Sequence, residues 1–372
     1  MIFGSLRTLG FRNLADGEIN TRGKEVFLVG ENGQGKTNFL EAVYFCSYAS
    51  SFRGAADSEL VREGELHSAV AAHFTGSPAG DSERPLYSEV RLTYEQHKKN
   101  VYLDGKRIED RRDLLGVAPS IVFCHEDMEF VTGSPERRRW FFDQTLGLSD
   151  PGYLEDLRKY RRVLKTRNAL LKTGAVQQAG PALGPLLDAL DPQLAFYGLK
   201  LMEKRQLAAA GFSQTFGTLY EEVTGLDKLR LRYVPSWKEG SLEGIGGFLE
   251  EHREKDIPAG FTLSGPHRDR YLFIRGEREF AGKASTGQRR LLALLLRVAQ
   301  ARRFSELTGK YPVLLLDDVL LELDLEKRGK FLAALPPYAQ AFFTFLPDEP
   351  YHRYRRAGAL VYRVSRGSLG PA

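Results

Sequence analysis

The segment Gly30-Glu31-Asn32-Gly33-Gln34-Gly35-Lys36-Thr37 constrains the fold of this chain more than any other part of its 372 residues. It has the spacing G-x-x-x-x-G-K-[ST]. It stands between an apolar run, Val26-Phe27-Leu28-Val29, and a helical pattern carried by Phe39, Leu40, Ala42 and Val43. A strand that enters a glycine-rich loop and passes straight into a helix is a unit of α/β architecture and a phosphate cradle. Glycines at 30, 33 and 35 permit backbone conformations closed to other residues, so several N–H groups can converge on a phosphate at the helix N-terminus. Lys36 is expected to reach the β and γ phosphate oxygens and Thr37 to hold Mg²⁺. Glu31, Asn32, Gln34 and Asn38 complete the expected ATP cradle.

Far along the chain, Tyr311-Pro312-Val313-Leu314-Leu315-Leu316-Asp317-Asp318 reads as a strand covered on both faces that ends in two carboxylates. Asp317 at the strand end can bind the hydration shell of Mg²⁺, and Asp318 can orient or deprotonate the attacking water. Alone, such a run is often a strand entering a polar turn; beside a P-loop it gains meaning, because a magnesium nucleotide needs both. Ser285-Thr286-Gly287-Gln288-Arg289 precedes an apolar helix from Leu291 to Val298. In isolation it is an ordinary helix cap. Its place before the acidic strand is that of the ATP-binding-cassette signature, with Leu321-Glu322-Leu323-Asp324 where that superfamily has its D-loop.

Phe11-Arg12-Asn13-Leu14, Gly35-Lys36-Thr37-Asn38-Phe39-Leu40-Glu41-Ala42, Gly133-Ser134-Pro135-Glu136-Arg137-Arg138-Arg139, Gly265-Pro266-His267-Arg268-Asp269 and Leu316-Asp317-Asp318-Val319 together resemble the bacterial RecF recombination-mediator family over nearly the whole chain. The resemblance implies an α/β ATP-binding-cassette head with an antiparallel β subdomain and an inserted helical arm. The expected divisions are residues 1–133 for an N-terminal ATPase lobe, 134–256 for the arm and 257–372 for a C-terminal lobe. Arg12 and Asn13 join the expected nucleotide contacts. Two ATP molecules would lie between two protomers, each P-loop facing Ser285, Gly287 and Gln288 of the other. The resemblance further implies a weak DNA-stimulated ATPase, binding of duplex or junction DNA, and partners of the RecR and RecO type. Its expected settings are recombinational and gap repair, replication restart and SOS induction.

The rest of the sequence bears on alternatives. Alternation around Val70–Phe74, Tyr87–Tyr94 and Val101–Leu103, with an Asp104-Gly105 turn, reads as antiparallel strands. From Ser134 to Gly225 the pattern is helical, broken by a linker from Thr173 to Pro185. Only about ninety residues are helical there, too few for the long coiled coil of chromosome-maintenance proteins. The insertion is nevertheless larger than expected in a transporter ATPase, and a plain P-loop phosphotransferase needs no signature segment. No apolar run approaches membrane-spanning length, and Met1–Arg7 lacks a signal-peptide pattern, so a cytoplasmic protein is expected. Cys46 and Cys124 sit in apolar stretches as core residues.

A net charge of +5 and a pI near 9.0 are compatible with a nucleic-acid partner. Arg158, Arg162, Lys165 and Lys172 fall near one stripe of a helix whose other stripe holds Leu157, Tyr160, Leu164 and Leu171. The basic stripe is either a solvated face or a phosphate-binding one. Arg137, Arg138 and Arg139 are further DNA candidates, while Phe141 and Phe142 are expected in the core. Gly265–Asp269 reads as a structural turn, His267 included. Asp318 is shorter than the usual glutamate of transporter ATPases and Thr344 stands where they have a histidine, so hydrolysis is expected to be slow. No Q-loop glutamine stands out: Gln96 falls at a hairpin end, and His125-Glu126-Asp127 is a candidate replacement.

Overall fold

The computed structural model describes residues 1–76, 89–110, 112–176, 183–320 and 323–372. Tyr87 and Ser88, residues 177–182 of the linker, and Leu321 and Glu322 of the D-loop segment lie outside the described residues. In chain order the elements are β1 (Ile2–Leu9), β2 (Gly17–Asn20), β3 (Glu25–Val29), α1 (Lys36–Tyr48), β4 (His67–Thr75), β5 (Glu89–Glu95), β6 (Lys98–Leu103), β7 (Lys106–Ile108), α2 (Arg112–Leu115), β8 (Ser120–Phe123), α3 (Glu129–Thr132), α4 (Pro135–Ser149), α5 (Pro151–Val176), α6 (Leu183–Thr224), β9 (Leu229–Val234), α7 (Leu242–Glu251), α8 (Arg253–Ala259), β10 (Arg270–Arg275), β11 (Arg278–Glu279), α9 (Thr286–Thr308), β12 (Val313–Leu316), α10 (Leu325–Ala334), β13 (Gln340–Phe345), β14 (Leu360–Ser365) and β15 (Ser368–Pro371). They form two compact units, Met1–Asp127 with Phe304–Ala372, and Met128–Arg303.

The first unit holds two six-stranded sheets. One is an antiparallel sheet in the order β2-β1-β4-β5-β6-β7. Its tight turns fit their chemistry: Gln96-His97 and Asp104-Gly105 both take positive φ at the two central positions, which matches the twist of the flanking strands. The other sheet runs β15-β14-β3-β13-β12-β8, parallel except for β15. Helix α1 packs on both and is buried on nearly every face, so it is apolar all round (Phe39, Leu40, Ala42, Val43, Phe45, Cys46) rather than amphipathic. The opposite face of the parallel sheet carries stacked Phe27, Phe343 and Phe345, with Phe123 edge-on to Phe331 of α10.

Gln340, fully buried at the start of β13, ties the two sheets together. Its Oε1 accepts from Phe3 N–H at 2.8 Å, and its Nε2 donates among the carbonyls of Thr21 (2.6 Å), Gly23 (2.9 Å) and Phe3 (3.1 Å). Each of those buried groups would cost about 1–3 kcal/mol if left unpaired.

In the second unit α5 and α6 pair along seams that recur at spacings of four and three residues. On α5 these positions are Tyr153, Leu157, Tyr160, Leu164, Arg167 and Leu171. On α6 Gly198 lies where a side chain would strike the Trp237 indole at 2.3 Å, so glycine lets the tryptophan into the seam. Two buried arginines sit at seam positions. Arg167 binds Asp191 and Asp256, each at 2.7 Å, and Arg205 binds Asp143 at 2.7 Å and Asp269 at 2.8 Å. Each guanidinium is fully desolvated and doubly paired, which makes the loss of either partner costly, about 3–5 kcal/mol.

This explains Gly265–Asp269. The segment is a turn whose Asp269 anchors Arg205, Tyr233 and the Ser236 N–H, while exposed Arg268 lies over the Phe261 ring. His267 bonds through Nδ1 to the Tyr160 hydroxyl at 2.7 Å and through Nε2 to the Thr262 carbonyl at 3.0 Å. Burial lowers its pKa to about 4. A histidine with a depressed folded pKa takes up its proton in the unfolded chain first. The stability it contributes is therefore complete above pH 6.5 and lost as pH falls towards 4. We expect His267→Gln to flatten this acid limb, worth up to about 3 kcal/mol, in urea melts at pH 7 and pH 4.5.

Candidate nucleotide-binding site

The cradle is built where β3 leaves the sheet. Gly33 (φ 76°) and Gly35 (φ 113°) take the left-handed conformations that turn the loop, and α1 begins at Lys36. Gly30 passes so close to β14 that a Cβ would lie 2.4 Å from the Val364 carbonyl oxygen. The Lys36 ammonium, nearly buried, donates to the loop carbonyls of Gly30 (2.6 Å) and Glu31 (3.2 Å). Glu31, Asn32, Gly33, Gly35, Lys36, Thr37, Asn38, Arg53 and Asp318 line a pocket of about 210 Å³.

The acidic strand meets this pocket as β12, whose neighbours are β8 and β13. The Thr37 hydroxyl donates to Oδ1 of Asp317 at 3.0 Å, across 280 residues of chain. Burial and the adjacent Asp318 carboxylate push the Asp317 carboxyl up to about 7. A hydroxyl, a buried carboxylate reluctant to carry its charge alone and a second acid form a donor set for a hard divalent cation. Among the described residues no group of three or more His, Cys, Asp and Glu stands together as a self-sufficient metal site. Lying beside the phosphate cradle, the Thr37 hydroxyl and the two acids fit Mg²⁺ shared with phosphate oxygens.

Thr344, on β13, reaches both acids. Its hydroxyl accepts from the Asp318 N–H at 2.7 Å and donates to Asp318 Oδ1 at 2.8 Å, with Asp317 Oδ1 at 3.3 Å. Asp318 sits at φ 50°, a conformation costing a non-glycine residue about 1–3 kcal/mol, and Thr344 holds it there. Thr344→Val is expected to lower ATP turnover about tenfold to a hundredfold with ATP affinity nearly unchanged, and Thr344→Ser to restore it. Single-turnover kinetics beside nucleotide titration would separate the two parameters.

A second layer surrounds the cradle. Glu41 of α1 is fully buried and binds Arg12 at 3.0 Å, Arg53 and Ser51. Burial pushes its carboxyl up, but the hydrogen bonds from Arg53, Arg12 and Ser51 outweigh this and hold it below the usual range. Arg53 also donates to Asn38 Oδ1 (2.6 Å), Asn38 to Asn13 Oδ1 (2.7 Å), and Asn13 to the Gly33 carbonyl (3.2 Å). Arg12 and Asn13 thus stand beside the loop through named bonds. Gln34 points to the β14–β15 turn: its Oε1 accepts from Arg366 N–H at 2.7 Å, and its carbonyl from Gly367 N–H at 2.8 Å.

A profile of the RecF/RecN/SMC N-terminal domain family matches residues 3–355. The DNA replication and repair protein RecF of Treponema pallidum (strain Nichols) is 43% identical over 98% of this chain and 99% of its own length. That of Bacillus subtilis (strain 168) is 32% identical over 99% and 100%. The chain belongs to the RecF family. A solved structure of the recombination mediator protein RecF with ATP in the RecFOR pathway superposes with a TM-score of 0.88 at 27% identity, covering 100% of this chain and 97% of that one. An Smc head bound to the C-winged helix domain of ScpA, 15% identical, shares the fold with a TM-score of 0.51 over 100% of this chain and 97% of its own.

The remaining family-motif residues lie in the second unit. Ser285 and Gln288 form a reciprocal capping box at the exposed start of α9: Gln288 N–H donates to Ser285 Oγ at 3.3 Å, and Ser285 N–H to Gln288 Oε1 at 2.9 Å. Gly287 faces open space. Arg158, Arg162, Lys165 and Lys172 are exposed on α5, opposite its buried seam. Arg137 is exposed and paired with Glu129 at 2.8 Å. Arg138 donates to the Tyr271 and Gly133 carbonyls, both at 3.3 Å, and Arg139 to the Asp269 carbonyl at 2.9 Å. Both are half-buried fasteners of this unit. Phe141 and Phe142 are buried, as their place inside a helix predicts. The sequence reading missed Arg53, Glu41 and the positioning role of Thr344. The run Ser51-Phe52-Arg53-Gly54 carries no local pattern that marks its arginine as reaching back to α1.

Proposed function

We propose that the chain is an ATP-dependent DNA-binding clamp of the RecF type, acting in the cytoplasm in recombinational and gap repair, replication restart and SOS induction. The observation that carries this reading is the Thr37–Asp317 hydrogen bond, which joins a phosphate cradle to an acidic pair in a member of this family. Lys36 would leave the loop carbonyls for the β and γ phosphate oxygens, at the N-terminus of α1 where a helix favours an anion. Thr37 and Asp317 would hold Mg²⁺, which when bound neutralises phosphate charge. Asp318, steadied by Thr344, would orient the attacking water and accept its proton. A short carboxylate, and a hydroxyl in place of a cation, make that step slow. Arg53 is a further candidate for the phosphates, since it lines the same pocket.

Ser285, Gly287 and Gln288 crown an exposed helix start, which suits completion of a partner protomer's site and therefore ATP-driven dimerisation. The name of the curated relatives supports a place in DNA replication and repair, and the RecFOR pathway of the solved relative supports mediators of the RecR and RecO type as partners. No helix among the described residues is long and apolar enough to cross a membrane.

DNA retention with and without ATP across a salt series tests the reading. Arg158→Glu, Arg162→Glu and Lys165→Glu together are expected to weaken DNA binding at least tenfold and flatten its salt dependence, while ATP affinity stays as in the wild type. An unaltered salt slope would leave that stripe a solvated helix face.

A further inference from the structure

The three-stranded sheet β11-β10-β9 carries an arginine surface that neither the nucleotide site nor the α5 stripe uses. Its strands read LRLRYV, RYLFIR and RE, five arginines against one glutamate. Strand alternation sends Leu229, Leu231 and Tyr233 inward and leaves Arg230 and Arg232 exposed. Leu272 of β10 is paired with Arg232, and Arg270 with Val234, so Arg270 lies diagonally beside Arg232 on that same face. Residues at i and i+2 on a strand are about 7 Å apart, and diagonal cross-strand neighbours about 7–8 Å. The three arginines thus form a row along one face, with Arg232 in the middle and Arg230 and Arg270 four strand positions apart.

Among the described residues no hydrogen bond or ion pair joins Arg230, Arg232 or Arg270 to an acid. Glu279, opposite Ile274, is the sheet's single acid and already faces Arg138 at 3.7 Å. Arg138 itself has a lowered pKa, from burial first, with the charge of Arg270 adding to the effect. At the sheet's other end, and on its opposite face, Arg275 and Arg278 are direct cross-strand partners, a destabilising pairing of like charges. They line a groove of about 370 Å³ together with Lys228 and Lys283; its acids are Asp227, which already takes Arg275 and Lys228, and Glu279. Guarding an exposed sheet edge does not explain the pattern, because Arg270 is on the central strand.

Resting on the DNA-binding reading above, we propose that this sheet face is a second phosphate-backbone surface, with Arg230, Arg232 and Arg270 each engaging one phosphate of the nucleic acid. Guanidinium forks suit phosphate oxygens, and contacts made to the phosphate backbone carry no sequence preference.

The test uses the full chain and a fluorescein-labelled duplex in anisotropy titrations across salt, with ATP present. Replacing Arg230, Arg232 and Arg270 together by alanine should weaken binding more than tenfold at 0.1 M salt and make the log–log salt slope shallower by about 2 to 3. ATP turnover without DNA should not change. The triple lysine variant should recover most of the slope, which a folding defect would not allow. A triple alanine variant that matches the wild type in affinity and slope overturns the proposal. So does a loss confined to binding of labelled polyglutamate, which would assign the face to an acidic protein. Wild-type protein that shows no salt-sensitive DNA binding at all would instead remove the DNA-binding reading on which the proposal rests.

Discussion

Lys36→Met is expected to abolish ATP binding and ATP-driven dimerisation, whereas Asp318→Asn is expected to bind ATP and accumulate as a dimer. The Lys36 ammonium lies inside the cradle, 2.6 Å from the Gly30 carbonyl, and its charge would meet the phosphates in the ground state. Each charge-assisted contact of this kind is worth roughly tenfold to a hundredfold in binding, and the ammonium would make more than one. Asp318→Asn keeps an oxygen to accept from Thr344 but removes the base, so turnover should fall about 10²–10⁴-fold. A further consequence follows from the acidic pair. The Asp317 carboxyl stands near 7 first because it is buried and then because Asp318 is charged beside it. The amide removes that second cause. Asp317 then ionises more fully at pH 7, and magnesium-dependent ATP affinity should match or exceed the wild type. Nucleotide titration at pH 6 and pH 8 with sedimentation in saturating ATP reads both effects. An Asp318→Asn protein that stays monomeric would sink the assignment.

Much of this site is legible in the sequence because its parts are local. The strand, glycine loop and helix are consecutive, and the helix starts at the lysine as the motif requires. The acidic strand is legible because a run covered on both faces must be apolar throughout; only its extent differs, with the ladder starting at Val313 after Pro312, which has no N–H to give. What stayed hidden depends on contacts across hundreds of residues. Gln34 looks like any loop residue until Arg366 and Gly367 are known to fold back on it. Thr344 is recognisable as a hydroxyl where a histidine is usual, but its three short contacts with the acids come from the pairing of β12 with β13.

The helical unit shows a different limit. Grouping Arg158, Arg162, Lys165 and Lys172 by charge passes over Arg167, which lies among them in sequence yet is fully buried. The signal was present: the four-three spacing from Tyr153 through Leu164 runs on to residue 167. Residue type argued for the surface and periodicity for the core, and Asp191 and Asp256 decided for the core by supplying two carboxylates. Gly265–Asp269 reads correctly as a turn, but its importance comes from Arg205, 64 residues away, which no local reading can supply.

If Ser285 completes the site of a partner protomer, two inactive proteins should rescue one another. Lys36→Met loses the cradle, and Ser285→Arg blocks the exposed helix start; neither residue's replacement should prevent folding. Ser285 is solvent-exposed, and the capping hydroxyl contributes only about 1 kcal/mol. In a mixed dimer one site combines an intact Lys36 with an intact Ser285, and the other carries both lesions. Random equal mixing makes about half of the dimers mixed, each with one live site of two, so turnover should return to about a quarter of the wild-type rate when sites act independently. Should both sites have to fire together, turnover stays low. The same mixture then answers through cysteines placed in the P-loop of one protomer and beside Ser285 of the other, which should crosslink only with ATP. If neither turnover nor the interchain crosslink appears, Ser285 does not serve a partner's nucleotide, and the exposed capping box at the start of α9 is a helix cap alone.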